Sequence, residues 1–360
     1  MHVQGIDHVE FYVGNADEVA AALCATYGFR VQGQVRLPTE DVDHRSVLIR
    51  QNDIRLLLTE GLTETHPATL FVRKHGDGPA TIALSTDDPN AALTDAVAAG
   101  AVPVSATAPL SEVSATSRVR ITAFGDVAHT FVRPGELDEV LIPMAEPLAG
   151  GDSEPLEMLD ILDHVAVCVP AGELIPTVEY YKKVLGFGQI FEEYIEVGVQ
   201  AMNSRVVQSP SGGVTLTILE PDTSRMPGQI DDFIRAHDGA GVQHLALRTD
   251  DIAGSVRTLQ ERGVGFLSTP GSYYDELAVR LGHIGLPVDT LRTLNVLVDQ
   301  DHEGELFQIF AQSTHSRRTF FFEVIERRGA LTFGSANIKA LYQAVERERA
   351  RTSPDAAVSR

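Results

Sequence analysis

Short apolar runs broken by single polar positions read as strands at Leu162–Ala166, Val242–Ala246 and Phe321–Ile325. Residues i and i+2 of a strand share a face. His164 is therefore expected beside Ala166 and Cys168, and Glu323 beside Phe321 and Ile325. A helical period appears near the C-terminus, where Ile338, Leu341, Tyr342 and Val345 fall at i, i+3, i+4 and i+7. They make one apolar stripe on a helix over Asn337–Arg349. A helix with a single apolar face must cover something. Because it follows the Glu323 strand, it is expected to cap the mouth of a barrel; the alternative is ordinary packing on the outside of the domain. Ala91–Gly100 and Ile252–Gly263 read as helices that each follow a strand.

These elements recur. Gly5-Ile6-Asp7-His8-Val9 echoes Ile161-Leu162-Asp163-His164-Val165, and Tyr27-Gly28-Phe29 echoes Leu185-Gly186-Phe187. Ala80–Asp88 likewise echoes Gln243–Asp251. Self-similarity at a steady offset marks duplication. Within each half a smaller unit of strand, helix and several strands also repeats. Four such units predict an α+β fold of two barrel-like domains, residues 1–150 and 158–360. The stretch from Pro134 to Glu157, with Pro134-Gly135, Pro143, Pro147, Gly150-Gly151 and Pro155, reads as a tether poor in helix and strand. The tail from Thr352 is expected to fray.

The copies differ where chemistry would sit. His8 matches His164, but Thr81 stands where His244 stands, and Ala128–Arg133 has no carboxylate to match Glu323. The first domain is therefore expected to be structural and metal-free. In the second, His164, His244 and Glu323 lie on three repeat-related strands at nearly equal spacing. Two imidazoles and one carboxylate with no fourth protein ligand suit a non-haem Fe(II) centre, in which three facial positions hold the metal and the rest stay open.

Composition narrows the class. The chain has 360 residues, 43% of them hydrophobic, enough for two cores. No apolar run approaches the ~18–20 residues that span a bilayer. The N-terminus enters a strand directly, so no secretory leader is expected. Cys24 falls in a predicted helix of one domain and Cys168 on a strand of the other, so no disulfide is expected and a cytoplasmic setting fits. A formal charge of −21 opposes nucleic-acid binding.

The whole chain resembles the 4-hydroxyphenylpyruvate dioxygenase family of the vicinal oxygen chelate superfamily. The resemblance is carried by Leu162–Val165, Gly186-Phe187, Gly239–Ala246, Leu306–Phe310, Phe321–Arg327 and Phe333–Leu341. It implies two vicinal-oxygen-chelate domains built from βαβββ modules, with a C-terminal lid helix. It also implies Fe(II) held by His164, His244 and Glu323, with dioxygen and the 2-oxo acid 4-hydroxyphenylpyruvate as partners, no membrane, and scope for a homo-oligomer. Ser204, Thr217 and Gln308 are implied substrate contacts, followed by Gln229, Gln243, Asn337 and Ile338. No catalytic residue beyond the metal site is implied.

Two branches of the family share this substrate. One hydroxylates the ring and makes homogentisate; the other hydroxylates the benzylic carbon and makes 4-hydroxymandelate, the route to the 4-hydroxyphenylglycine of peptide antibiotics. The ring-hydroxylating branch typically has Pro-Ile-Asn-Glu where this chain has Thr217-Ile218-Leu219-Glu220, and Gly-Asn-Phe where it has Ala336-Asn337-Ile338. Both departures resemble the benzylic branch. An aliphatic Ile338 reshapes the wall beside the substrate ring, and Leu219 removes an amide able to steer the phenol. Two readings from other classes stay open: a zinc- or nickel-dependent isomerase or lyase on the same fold, and a ligand-sequestering cup without chemistry.

Overall fold

The computed structural model describes residues 2–35, 43–104, 119–144, 155–334, 336–340 and 342–343. The first module comprises β1 (Gly5–Tyr12), α1 (Ala16–Tyr27), β2 (Arg30–Val35), β3 (His44–Gln51) and β4 (Ile54–Gly61). A connecting helix α2 (Pro67–His75) leads to β5 (Gly78–Ser85), α3 (Pro89–Ala98), β6 (Pro103–Val104), β7 (Val119–Phe124) and β8 (Val127–Val132). The short β9 (Leu141–Ile142) ends this half. The second half repeats the order with β10 (Leu162–Cys168), α4 (Leu174–Tyr180), β11 (Gly188–Val197), β12 (Gln200–Gln208) and β13 (Thr215–Pro221). After α5 (Gln229–His237) come β14 (Gly241–Arg248), α6 (Ile252–Glu261), the short α7 (Gly271–Asp275), α8 (Leu277–Leu281) and α9 (Val288–Leu294), then β15 (Leu297–Gln300), β16 (Glu305–Phe310) and β17 (Phe321–Arg328).

The fold is thus α+β, with two mixed sheets and four βαβββ modules. Their strand orders are β6-β7-β8-β5-β1-β4-β3-β2-β9 and β11-β12-β13-β10-β14-β17-β16-β15. Helix starts follow local chemistry. Asp88 caps α3 by accepting from the Ala91 N–H, with Pro89 in the first turn, so this helix begins before the apolar period that predicted it. Asp251 caps α6 in the same way.

Alternation along each strand sends one face to the shared core and the other into a curled sheet. Val165 and Val167 of β10 enter the main core with residues of both halves, while Cys168 joins Leu219, Met202, Phe233 and Tyr342 on the opposite face. The halves meet through aromatic contacts, with Phe11 and Phe320 at 5.2 Å and Tyr27 and Phe322 at 4.9 Å between ring centroids.

The stretch read as a tether carries one short strand, in which Leu141 and Ile142 pair with Val35 and Gln34 and close one edge of the first sheet. Two residues are too few to show a period. Residues 145–154 of that stretch, and residues 344–360 with the predicted tail, lie outside the described residues; 336–340 and 342–343 are helical. Cys24 and Cys168 are both buried free thiols. Among the described residues no helix is long and apolar enough to cross a membrane.

Candidate metal centre

Sheet register builds the site. Across the middle of the second sheet, His164 of β10 pairs with Ala246 of β14, and Ala246 pairs with Glu323 of β17. His164, Ala246 and Glu323 thus form one row on one face. His244 lies two residues before Ala246 and projects from the same side, opposite Ala166. Alanines at 166 and 246 leave the space the three polar side chains fill. The Nε2 atoms of His164 and His244 lie 3.5 and 3.3 Å from Glu323 Oε2. Ligands on adjacent octahedral vertices, each about 2.1 Å from a metal, sit roughly 3 Å apart. The donor atoms are therefore close to the spacing one ion needs.

The protonation pattern agrees. His164 Nδ1 donates to Asp163 Oδ1 at 2.9 Å, and His244 Nδ1 to Gln243 Oε1 at 3.2 Å. Committing each Nδ1–H leaves both Nε2 atoms for the ion. Burial pushes Glu323 up, but His164 and His244 more than offset this and bring it down to about 2. Burial likewise pushes His164 down, and the carboxylates of Glu323 and Asp163 reverse that, holding it up to about 9. His244 is lowered by burial. Three charge-bearing groups buried this deeply and facing one another suit a cation better than a packed core.

The first domain preserves the geometry without the ligands. His8 pairs with Ala83, and Ala83 pairs with Thr130, while Thr81 faces Glu10. Thr81 and Thr130 therefore occupy the register positions of His244 and Glu323. A second group, Asp43, His44 and His66, also lies close together. There the two rings stack at 5.0 Å with a 22° tilt, and His66 Nδ1 caps α2. Lone pairs in nearly parallel planes do not converge on one ion.

The triad opens into a small cavity of about 40 Å³. Of the residues anticipated as substrate contacts, Ser204, Thr217, Gln308 and Ile338 line it together with Leu219. Three others sit one step behind. Gln229 donates to the Tyr342 carbonyl at 2.6 Å, Gln243 accepts from His244, and Asn337 donates to Gln308 Oε1 at 2.9 Å. Gln308 in turn donates to Glu323 Oε1 at 2.7 Å. Gly334 makes the Asn337 contact feasible: its φ of 67° is left-handed, and a Cβ there would come within 3.2 Å of Asn337 Nδ2 and Gln308 Oε1.

Phe310, Phe333 and Tyr342 also line the cavity and were not anticipated. Phe310 was detectable by strand period, two residues after Gln308. Tyr342 was visible only as one member of the apolar stripe. Of the stripe, Ile338 and Tyr342 line the cavity, while Leu341 and Val345 lie outside the described residues.

Comparisons with known proteins agree with this geometry. Profiles of the Glyoxalase/Bleomycin resistance protein/Dioxygenase superfamily match residues 161–309 and 7–113. A 4-hydroxyphenylpyruvate dioxygenase of Dictyostelium discoideum is 33% identical, over 96% of this chain and 98% of that protein. One from Aspergillus fumigatus is 32% identical, over 96% and 93%. Among solved structures, a triple mutant of 4-hydroxymandelate synthase from Streptomyces coelicolor is 40% identical, covers 96% of this chain and 99% of that one, and superposes with a TM-score of 0.82. The duplicated modules, the two-histidine, one-glutamate centre and full-length similarity converge: the chain belongs to the 4-hydroxyphenylpyruvate dioxygenase and 4-hydroxymandelate synthase family of the glyoxalase/dioxygenase superfamily.

Proposed function

We propose that this chain is an Fe(II)-dependent dioxygenase that converts 4-hydroxyphenylpyruvate and dioxygen to 4-hydroxymandelate and CO2. His164, His244 and Glu323 would hold the metal, which when bound supplies the redox chemistry that couples decarboxylation of a 2-oxo acid to hydroxylation. Homogentisate and 4-hydroxymandelate contain the same atoms. Only the position presented for attack separates the two products, so the protein's task is orientation and exclusion of water.

The observation that carries the benzylic reading is the pair Leu219 and Ile338, both on the cavity wall. Leu219 lies opposite Ser204 across β12 and β13. An aliphatic side chain there offers a phenol no hydrogen bond, leaving the Ser204 hydroxyl as the polar group at that end. Thr217 lies in the row Thr217, Ala166, His244 and sets a second hydroxyl nearer the metal ligands. Phe310 and Phe333 keep the space between dry.

The cavity's volume of about 40 Å³ is that of a few waters. Ile338 and Tyr342 stand in its wall, and their displacement would widen it for substrate. Among the described residues, the groups that hold this segment include Gln229, which donates to the Tyr342 carbonyl, and the Asp299 carboxylate, which accepts from the Ala336 N–H. Return of this helix over bound substrate would shut out water before chemistry.

The ring-hydroxylating alternative draws support from the relatives named dioxygenase. The test is direct: load the purified protein with Fe(II) under argon, add 4-hydroxyphenylpyruvate and air, and separate the products by chromatography. Homogentisate as the main product would replace the benzylic reading with the ring-hydroxylating one. Failure to consume 4-hydroxyphenylpyruvate would remove the substrate assignment altogether.

A further inference from the structure

We infer that Arg327 is a positioning residue that ties the metal ligand His164 to the helix covering the site, so that metal ligation and closure of that helix are one event. The inference rests on the triad being a metal site, as proposed above.

Arg327 lies four residues after Glu323 on β17, on the same face of the strand. Its guanidinium forms a two-pronged pair with Asp163, Nε to Oδ2 at 2.8 Å and Nη2 to Oδ1 at 2.9 Å. Both side chains are largely buried. Asp163 Oδ1 also accepts the Nδ1–H of His164 at 2.9 Å. The rigid fork thus holds the carboxylate that sets the plane of the imidazole and turns its Nε2 to the metal position.

The third guanidinium nitrogen works in the other direction. Nη1 donates to the Thr332 carbonyl at 2.7 Å and to the Ala330 carbonyl at 3.3 Å. The guanidinium carbon lies 5.1 Å from the centre of the Phe333 ring. Phe333 lines the cavity and meets the His164 ring edge-to-face at 5.3 Å. The segment these contacts fix lies a few residues before the helical residues 336–340. One planar cation therefore touches the carboxylate behind His164, the ring in front of it and the segment that precedes the covering helix.

The first domain separates the general role from the special one. There Asp7 orients His8 and is met by Arg55, which comes from β4. The register equivalent of Arg327 is Pro134, four residues after Thr130. Support of an aspartate–histidine pair by arginine is thus common to both copies. Placing that arginine beyond the carboxylate ligand, against a turn and a cavity ring, belongs to the metal-binding copy alone.

Arg327→Lys tests this, because an ammonium keeps the charge but loses the fork and the flat face. Co(II) serves as the probe in the full-length protein, with absorption reporting its coordination and hydrogen exchange reporting residues 336–340. In the wild type, Co(II) is expected to slow exchange there. In Arg327→Lys, affinity is expected to fall by about 10- to 100-fold, the Co(II) spectrum to change, and exchange to stay fast at saturating metal. Asp163→Asn leaves the contacts of Arg327 with the turn. It is expected to weaken Co(II) by a similar factor and to make exchange insensitive to metal.

Wild-type affinity and spectrum in Arg327→Lys would overturn the inference. So would a wild-type helix whose exchange ignores Co(II). Should the lysine variant fail to fold, Asp163→Asn decides alone: wild-type affinity there removes the path through Asp163. If the His244→Ala variant binds Co(II) as well as the wild type does, the metal-site reading itself falls, a result distinct from the others.

Discussion

Asn337 decides which end of the Gln308 amide faces Glu323. Its Nδ2 donates to Gln308 Oε1 at 2.9 Å, so Gln308 Nε2 must point the other way, to Glu323 Oε1 at 2.7 Å. The Tyr273 hydroxyl donates to Asn337 Oδ1 at 2.9 Å and fixes that amide in turn. The three bonds run in one direction and leave Glu323 Oε2 facing the two histidines.

Asn337→Asp should therefore act on the metal site without touching it. The new carboxylate still accepts from Tyr273 but cannot donate to Gln308. Gln308 is then drawn to turn its amide and present oxygen to Glu323, a repulsive contact inside the protein. We expect weaker Fe(II) retention on gel filtration and a loss of ~1–3 kcal/mol in stability, the usual cost of an unsatisfied buried polar group. Unchanged iron content with unchanged melting would show that the relay does not set the carboxylate.

Substitution of His164, His244 or Glu323 by Ala should abolish turnover of 4-hydroxyphenylpyruvate while circular dichroism stays native, because the sheets around the site are held by their own cores. His8→Ala should leave iron content unchanged, since Thr81 and Thr130 occupy the two partner positions. Turnover assays and circular dichroism of the three ligand variants, with iron analysis of all four, check both halves of this expectation. Full activity of Glu323→Ala would remove the centre.

The ligands were legible because strand period, ligand type and repeat position all singled out His164, His244 and Glu323. The differences between the copies were equally plain at Thr81. What stayed hidden depended on pairings between distant segments. Arg327 and Asp163 meet across two strands that local pattern cannot align. The direction of the Gln308 amide depends on Asn337 from a different element. Gln229 looked like a pocket residue and instead grips the Tyr342 carbonyl, a role set by where the last helix lands. The strand at Leu141–Ile142 is too short for alternation to reveal.

Acid should loosen the contact between the domains. His129 of β8 is fully buried, accepting from the Tyr181 hydroxyl of the second domain at 2.8 Å and donating to the Ile82 carbonyl. Burial pushes it down to about 4, from an ordinary value near 6.5. Between those values the unfolded chain binds a proton that the folded chain refuses, so stability is full above pH 6.5 and declines as pH falls towards 4. The loss from His129 alone is ~2 kcal/mol at pH 5. His237, lowered to about 4 chiefly by burial, adds to the slope. Urea unfolding at pH 7 and pH 5 should show this decline. In His129→Gln the protein should be weaker at pH 7, with a shallower pH dependence. An equal slope in that variant would place the acid sensitivity elsewhere.

Ile338→Phe probes the cavity wall to which the proposed benzylic reading assigns the choice of product. Ile338 shares a 40 Å³ space with Leu219, Phe310, Phe333 and Tyr342, so a larger ring has little room. Overpacking of this kind costs ~1–3 kcal/mol. Part of that cost should appear as a lower melting temperature and part as slower turnover, because the covering helix must tilt to admit both ring and substrate. The new ring also stacks against the substrate's aromatic face and turns the benzylic carbon away from the metal ligands. On the proposed benzylic reading, a fraction of product should therefore shift from 4-hydroxymandelate to homogentisate, read as a change in ratio on one chromatogram and independent of total rate. Slower turnover at an unaltered ratio would mean that Ile338 governs closure only. The orientation of the substrate would then rest with Leu219 and Thr217, whose own substitution to Asn or Ala is the next comparison.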